Sequence, residues 1–188
     1  MLKTILFAGA LCLGVSNAAL ADEHRELGPH EHGHGTLNIA VEGSLVKMEL
    51  EVPGDDIVGF EHAPSTAEEK SLIDKAKATL AQPLALFTVP AAAKCVVKEA
   101  NVKIQEEKHE PGEEPEKEAD GTVAHHNEFF VVYAVSCGTI SALKSLDFDY
   151  FKFFKNAQAL TVNVITAAGQ SKFEATREKP RVDLSGLI

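Results

Sequence analysis

Three imidazoles recur at two-residue steps early in the chain, in His30-Glu31-His32-Gly33-His34-Gly35. Residues two apart in an extended chain share a side, with Cα atoms about 7 Å apart. Two imidazoles so spaced reach one metal ion, because each Zn–N bond is about 2.0–2.1 Å. Two ligands make a weak site, so a third is expected from elsewhere. His62, in Phe60-Glu61-His62-Ala63-Pro64, is the first candidate, since a hairpin returns the residues after its second strand to its start. The plainer alternatives are a solvated N-terminal arm for His30, His32 and His34, and a histidine satisfied beside a helix start for His62. Imidazole nitrogens suit Zn, Cu, Ni and Fe, whereas oxygen-only sets suit Ca or Mg. With 8 histidines in the chain, the expected ion is a borderline metal, zinc before copper or nickel.

The other histidines read less sharply. His125 and His126 close an acidic segment and either complete the first site, form a weaker one with His109, Asp120 or Glu128, or are exposed loop residues. Asp22-Glu23-His24 would place an imidazole third from a free amine if processing follows Ala21. That arrangement wraps copper(II) or nickel(II) in a square plane. The run from Glu106 to Glu114 is either a solvated loop or an arm that raises the local cation concentration. No GxSxG or phosphate-binding loop occurs. A binding protein without catalytic residues is therefore the first expectation. A hydrolase using the same histidines with Glu61 as base, a copper or nickel carrier, and a metal-free structural or adhesion module stand behind it.

Period-two patterning must position these groups. Leu37, Ile39 and Val41 alternate with polar residues, Glu42-Gly43-Ser44 turns, and Val46, Met48, Leu50 and Val52 alternate again. Pro53-Gly54-Asp55-Asp56 closes this hairpin. The core-facing set is odd-numbered, so an unbroken strand would project the even-numbered histidines from the polar side, unless Gly33 and Gly35 bend it. A helix is predicted from about Ser65 to Gln82, with Ser65 and Glu68 as a capping box and a stripe of Leu72, Ile73, Ala76 and Leu80. Strands follow at 95–104 and 129–137, then a short strand at 143–148, a brief aromatic helix at 150–154, and a hairpin turning at Ala168-Gly169-Gln170. The fold class is α+β: antiparallel β-sheet hairpins with one longer helix and one short helix. The segment at about 105–127, rich in Glu, Lys, Pro and Gly, is expected to be a flexible acidic loop.

Lys3, the apolar run from Ile5 to Val15 and Ala19-Leu20-Ala21 follow the order of a secretory signal peptide. Residues 1–21 are thus expected to be removed, leaving 22–188 as a single metal-binding domain in the periplasm. The apolar run is too short to span a bilayer, and Leu11 before Cys12 argues against a lipid anchor. The formal net charge of −10 disfavours nucleic acid and anionic membrane surfaces and favours cations. Cys95 and Cys137 then remain as an even pair in an oxidising compartment, which reads first as a disulfide. The rival, thiolate ligation of zinc or a redox pair, lacks a CxxC spacing. If residue 95 pairs with 137, antiparallel geometry sets 104 opposite 128.

Taken together, His32-Gly33-His34-Gly35 before a hairpin, Gly59-Phe60-Glu61-His62-Ala63-Pro64 and His126-Asn127-Glu128-Phe129 leading to Cys137 resemble the ZrgA-type zinc-uptake-regulated periplasmic proteins. The resemblance covers essentially the whole mature chain, including the Gly169-Gln170 turn. It implies a Zn2+-binding accessory to a high-affinity zinc importer, in contact with an inner-membrane zinc ABC transporter. It also implies His32, His34 and His62 as ligands, with His126 as a further one. Relatives often carry a central loop dense in His and Asp, whereas 105–120 here is rich in Glu, Lys and Pro, with His109 as its only histidine.

Overall fold

The computed structural model describes residues 32–106 and 127–188. Strand β1 (His34–Glu42) and β2 (Leu45–Pro53) form the expected hairpin, with Glu42 opposite Leu45 across a two-residue turn. The chain does not simply turn after Pro53. It makes a short helix α1 (Gly54–Val58) that ends on Gly59 in the left-handed region. Helix α2 (Ala67–Leu80) follows, capped one residue later than expected. Thr66 Oγ1 accepts from the Glu69 N–H, and Glu69 reaches back to the Thr66 N–H, which satisfies two of the donors that a helix start leaves open. Its buried stripe is Ile73, Ala76 and Leu80, while Leu72 is 44% exposed.

Helix α3 (Pro83–Leu86) leads into β3 (Phe87–Thr88), and β4 (Cys95–Glu106) and β5 (Asn127–Cys137) form the long antiparallel pair. Cys95 lies opposite Cys137, bridged by a disulfide. The register then slips by one residue at a bulge between Val97 and Glu99, so Ile104 faces Phe129, where an unbroken ladder would set residue 128. A bulge adds a residue to one strand and re-aims everything beyond it. The last third holds β6 (Ser145–Phe148), α4 (Tyr150–Phe153), β7 (Ala159–Thr166), β8 (Gly169–Thr176) and β9 (Arg181–Asp183). The β7–β8 turn sits at residues 167–168, slightly before the predicted one, because Thr166 pairs with Gly169.

Among the described residues two sheets result: a six-stranded one in the order β4-β5-β2-β1-β7-β8, and a three-stranded one in the order β3-β6-β9. The hairpins are antiparallel as expected, but β1 also pairs with β7 in parallel, Leu37 beside Val162 and Ile39 beside Val164. The class is therefore α+β with a mixed sheet and more short helices than the sequence announced. One face of the large sheet presents Leu37, Leu50, Val52, Phe129, Val131, Tyr133, Leu160 and Val162, all buried, against α2, α3 and the small sheet. The buried Tyr133 hydroxyl donates to Leu80 O at 2.9 Å, so the end of α2 is tied to the centre of that face. Arg177 donates to the carbonyls of Ala157 and Phe151, fixing α4 to the approach of β7. No helix among the described residues is long and apolar enough to cross a membrane.

Candidate metal centre

The edge of the molecule that matters is where β1 begins, beside the end of β2 and the start of β7. His34 heads β1 on its polar face, as parity requires, and its Nε2 shares a hydrogen bond with Thr161 Oγ1 of β7 at 2.9 Å. Gly33 breaks the phase, with φ +84°, a conformation that costs glycine little. His32 is thereby turned off the strand line. Its Nε2 lies 3.2 Å from Glu61 Oε1, with side-chain exposures of 62% and 11%. The hairpin thus returns the segment after β2 to the start of β1, but the residue it brings to His32 is Glu61.

The backbone between the two histidines is held from both sides. The Gly33 N–H donates to Asp56 Oδ1 at 2.6 Å, and Gly33 O accepts from the N–H groups of Gln158 and Ala159 at 2.8 and 2.9 Å. Asp56 is only 2% exposed, and its Oδ2 has no hydrogen-bond partner among the described residues. Burial pushes its carboxyl above the ordinary value of 3.8, against the Gly33 N–H, which pulls it down. The charges of Asp55 and Glu61 push it the same way as burial, and His32 opposes them. Local pattern does not mark this role, since Asp56 reads as one residue of a turn.

That shift fixes a sign. A carboxyl whose pKa is higher folded than unfolded binds its proton more tightly in the fold, so ionised Asp56 weakens the fold at neutral pH. The weakening is relieved as pH falls through the raised value towards 3.8. Asp56→Asn keeps an acceptor for the Gly33 N–H and removes the charge. Thermal unfolding of the metal-free proteins over a pH series should show wild type gaining on this variant as pH drops. A constant difference would mean that Asp56 does not titrate with folding.

His62 is oriented elsewhere. Its ring stacks on Phe60 with centroids 4.9 Å apart, its Nδ1–H donates to Ala63 O at 3.1 Å, and its Nε2 is 3.8 Å from Glu69 Oε1. Glu69 in turn accepts from the backbone N–H groups of Thr66 and Ser65, which lower its pKa to about 2. His62 therefore sits beside a helix start, in the plainer of its two expected settings. His24, His30, His109, Asp120, His125 and His126 lie outside the described residues. The described chain resumes at Asn127, whose N–H donates to Glu61 O at 2.9 Å. Among the described residues no group of three or more His, Cys, Asp or Glu side chains is arranged to hold a metal ion. His32 and Glu61 make a pair, with His34 on the polar face of the sheet and His62 beside α2.

The pair has suitable chemistry for a divalent cation of borderline softness: one imidazole nitrogen and one carboxylate oxygen, both in the range of zinc donors. Residues 29–184 match the model of a family described as ZrgA family zinc uptake protein. No curated protein matches the chain.

Proposed function

We propose that this chain, which belongs to the ZrgA family of zinc uptake proteins, is an exported zinc-binding protein. It captures the ion in the periplasm and supplies or buffers it for a high-affinity importer, with an inner-membrane zinc ABC transporter as the proposed partner. The observation that carries the reading is the approach of His32 to Glu61. Two separate segments of the chain deliver a nitrogen and an oxygen donor to one spot beside the start of β1. The basic start, apolar run and small-x-small ending of residues 1–21 support export. Reversible capture needs no transformation of a substrate, and the chain carries no GxSxG nucleophile motif. His30 precedes His32 by two residues and His126 immediately precedes Asn127, so covalent geometry makes these the first histidines to consider for the remaining positions.

The metal content of protein recovered from its native compartment tests the reading. Zinc in excess of copper and nickel is expected, with re-uptake of zinc after chelator treatment and dialysis. Copper or nickel in its place, or metal-free protein that takes up no zinc, overturns it.

A further inference from the structure

We infer that Glu61, and not His62, is the side chain that the segment after α1 contributes to the metal centre, as an oxygen ligand beside His32. The inference rests on the zinc-binding reading and goes on to name a ligand. Two donor atoms bound to one tetrahedral zinc at about 2.0–2.2 Å are about 3.3 Å apart. His32 Nε2 and Glu61 Oε1 stand 3.2 Å apart, a separation that one ion can bridge.

Both arms spring from fixed backbone. A Cβ added at Gly54 would lie 2.7 Å from Phe60 O, 2.8 Å from Asn127 O and 3.4 Å from Glu61 Cα. The main chain at 60–61 is thus wedged between the first residue of α1 and the first of β5, and the Asn127 N–H pins Glu61 O. On the other side Gly33 is gripped by Asp56 and by the start of β7. Donors held this way stay close to the geometry that an ion requires. His62 is turned to Phe60, Ala63 O and Glu69 at the N-terminus of α2. Phe60 and His62 stack on one another, while Glu61, which lies between them in sequence, meets His32.

Competition titration with zinc and a chromophoric chelator on the full mature chain, together with the ligand-field spectrum of the cobalt(II)-loaded protein, tests this. Glu61→Gln should weaken zinc binding by more than about a hundredfold, beyond the range usual for groups that merely orient a ligand. It should also change the cobalt spectrum. His62→Ala should do neither, and the melting temperature of each metal-free variant controls for folding. Glu61→Asp, which keeps the charge and withdraws the oxygen by one methylene, replaces Glu61→Gln if that variant does not fold, and is expected to weaken binding as well. Retained affinity in the Glu61 variants with loss in His62→Ala overturns the inference and leaves zinc binding standing. Weakened binding with an unchanged cobalt spectrum also overturns it, by making Glu61 a positioning group. A wild-type chain that binds no zinc removes the functional reading itself.

Discussion

Zinc affinity should fall about thirtyfold for each imidazole ligand between about pH 7.5 and about pH 5. The reason is competition for the lone pair. A free imidazole with a pKa near 6.5 is mostly unprotonated at the upper limit and only a few per cent unprotonated at the lower one. A carboxylate ligand stays ionised over most of that interval, so the steepness counts nitrogens. His32→Ala should lose more than about a hundredfold in affinity at neutral pH, and its remaining pH dependence should be shallower than that of wild type by one imidazole. Chelator competition at a series of pH values reads both quantities. An affinity that holds level across the interval would eliminate histidine ligation, and a His32→Ala slope equal to wild type would remove His32 from the centre.

The second large effect concerns the bridge between Cys95 and Cys137. Its sequence separation of 42 corresponds to about 4 kcal/mol of denatured-state entropy in the chain-entropy account. For a domain of this size that is a fall of roughly 10 °C in Tm. The position makes the loss local as well. Among the described residues, β4 is the outer strand of the large sheet and pairs only with β5. The bridge closes the end of that ladder nearest the Val97–Glu99 bulge, where the register is interrupted. Cys95→Ser with Cys137→Ser should therefore lower Tm, raise the denaturant m-value through a more open unfolded chain, and speed amide exchange first at 95–100. A Tm within about 2 °C of wild type would show that the ladder alone carries β4.

What the sequence made legible was governed by local period. Leu37, Ile39, Met48 and Leu50 alternate so cleanly that the first hairpin, its buried face and the polar placement of His34 follow from parity. The pairing of β4 with β5 follows from the two cysteines. The bulge after Val97 does not, because an extra residue in the mixed run Val96-Val97-Lys98-Glu99 leaves no compositional mark. The parallel contact of β1 with β7 was also hidden, since an alternating strand declares which face is buried and not which neighbour it takes. Helices α1 and α3 are too short to show a period of 3.6 residues. At the site, the two-residue spacing pointed to shared ligation by His32 and His34. The left-handed turn at Gly33 sends His32 to Glu61 instead, while His34 meets Thr161. The histidines drew attention to themselves and Glu61 did so only as a general base, whereas the places of Glu61 beside His32 and Asp56 beside Gly33 come from contacts remote in sequence.

The central place of β1 in the large sheet, flanked by β2 and β7, sets a schedule for the growing polypeptide. The hairpin with β2 can close as soon as it emerges, but Thr161 arrives 127 positions after His34. Throughout that interval one flank of the first strand offers a row of bare amides and carbonyls, a template for sticking to other chains. Closure across so long a stretch is slow compared with hairpin formation. A product clipped or stalled before β7 would keep that adhesive flank. Truncation before β7 is therefore expected to lower solubility, although the residues lost lie far along the chain from those that meet the ion.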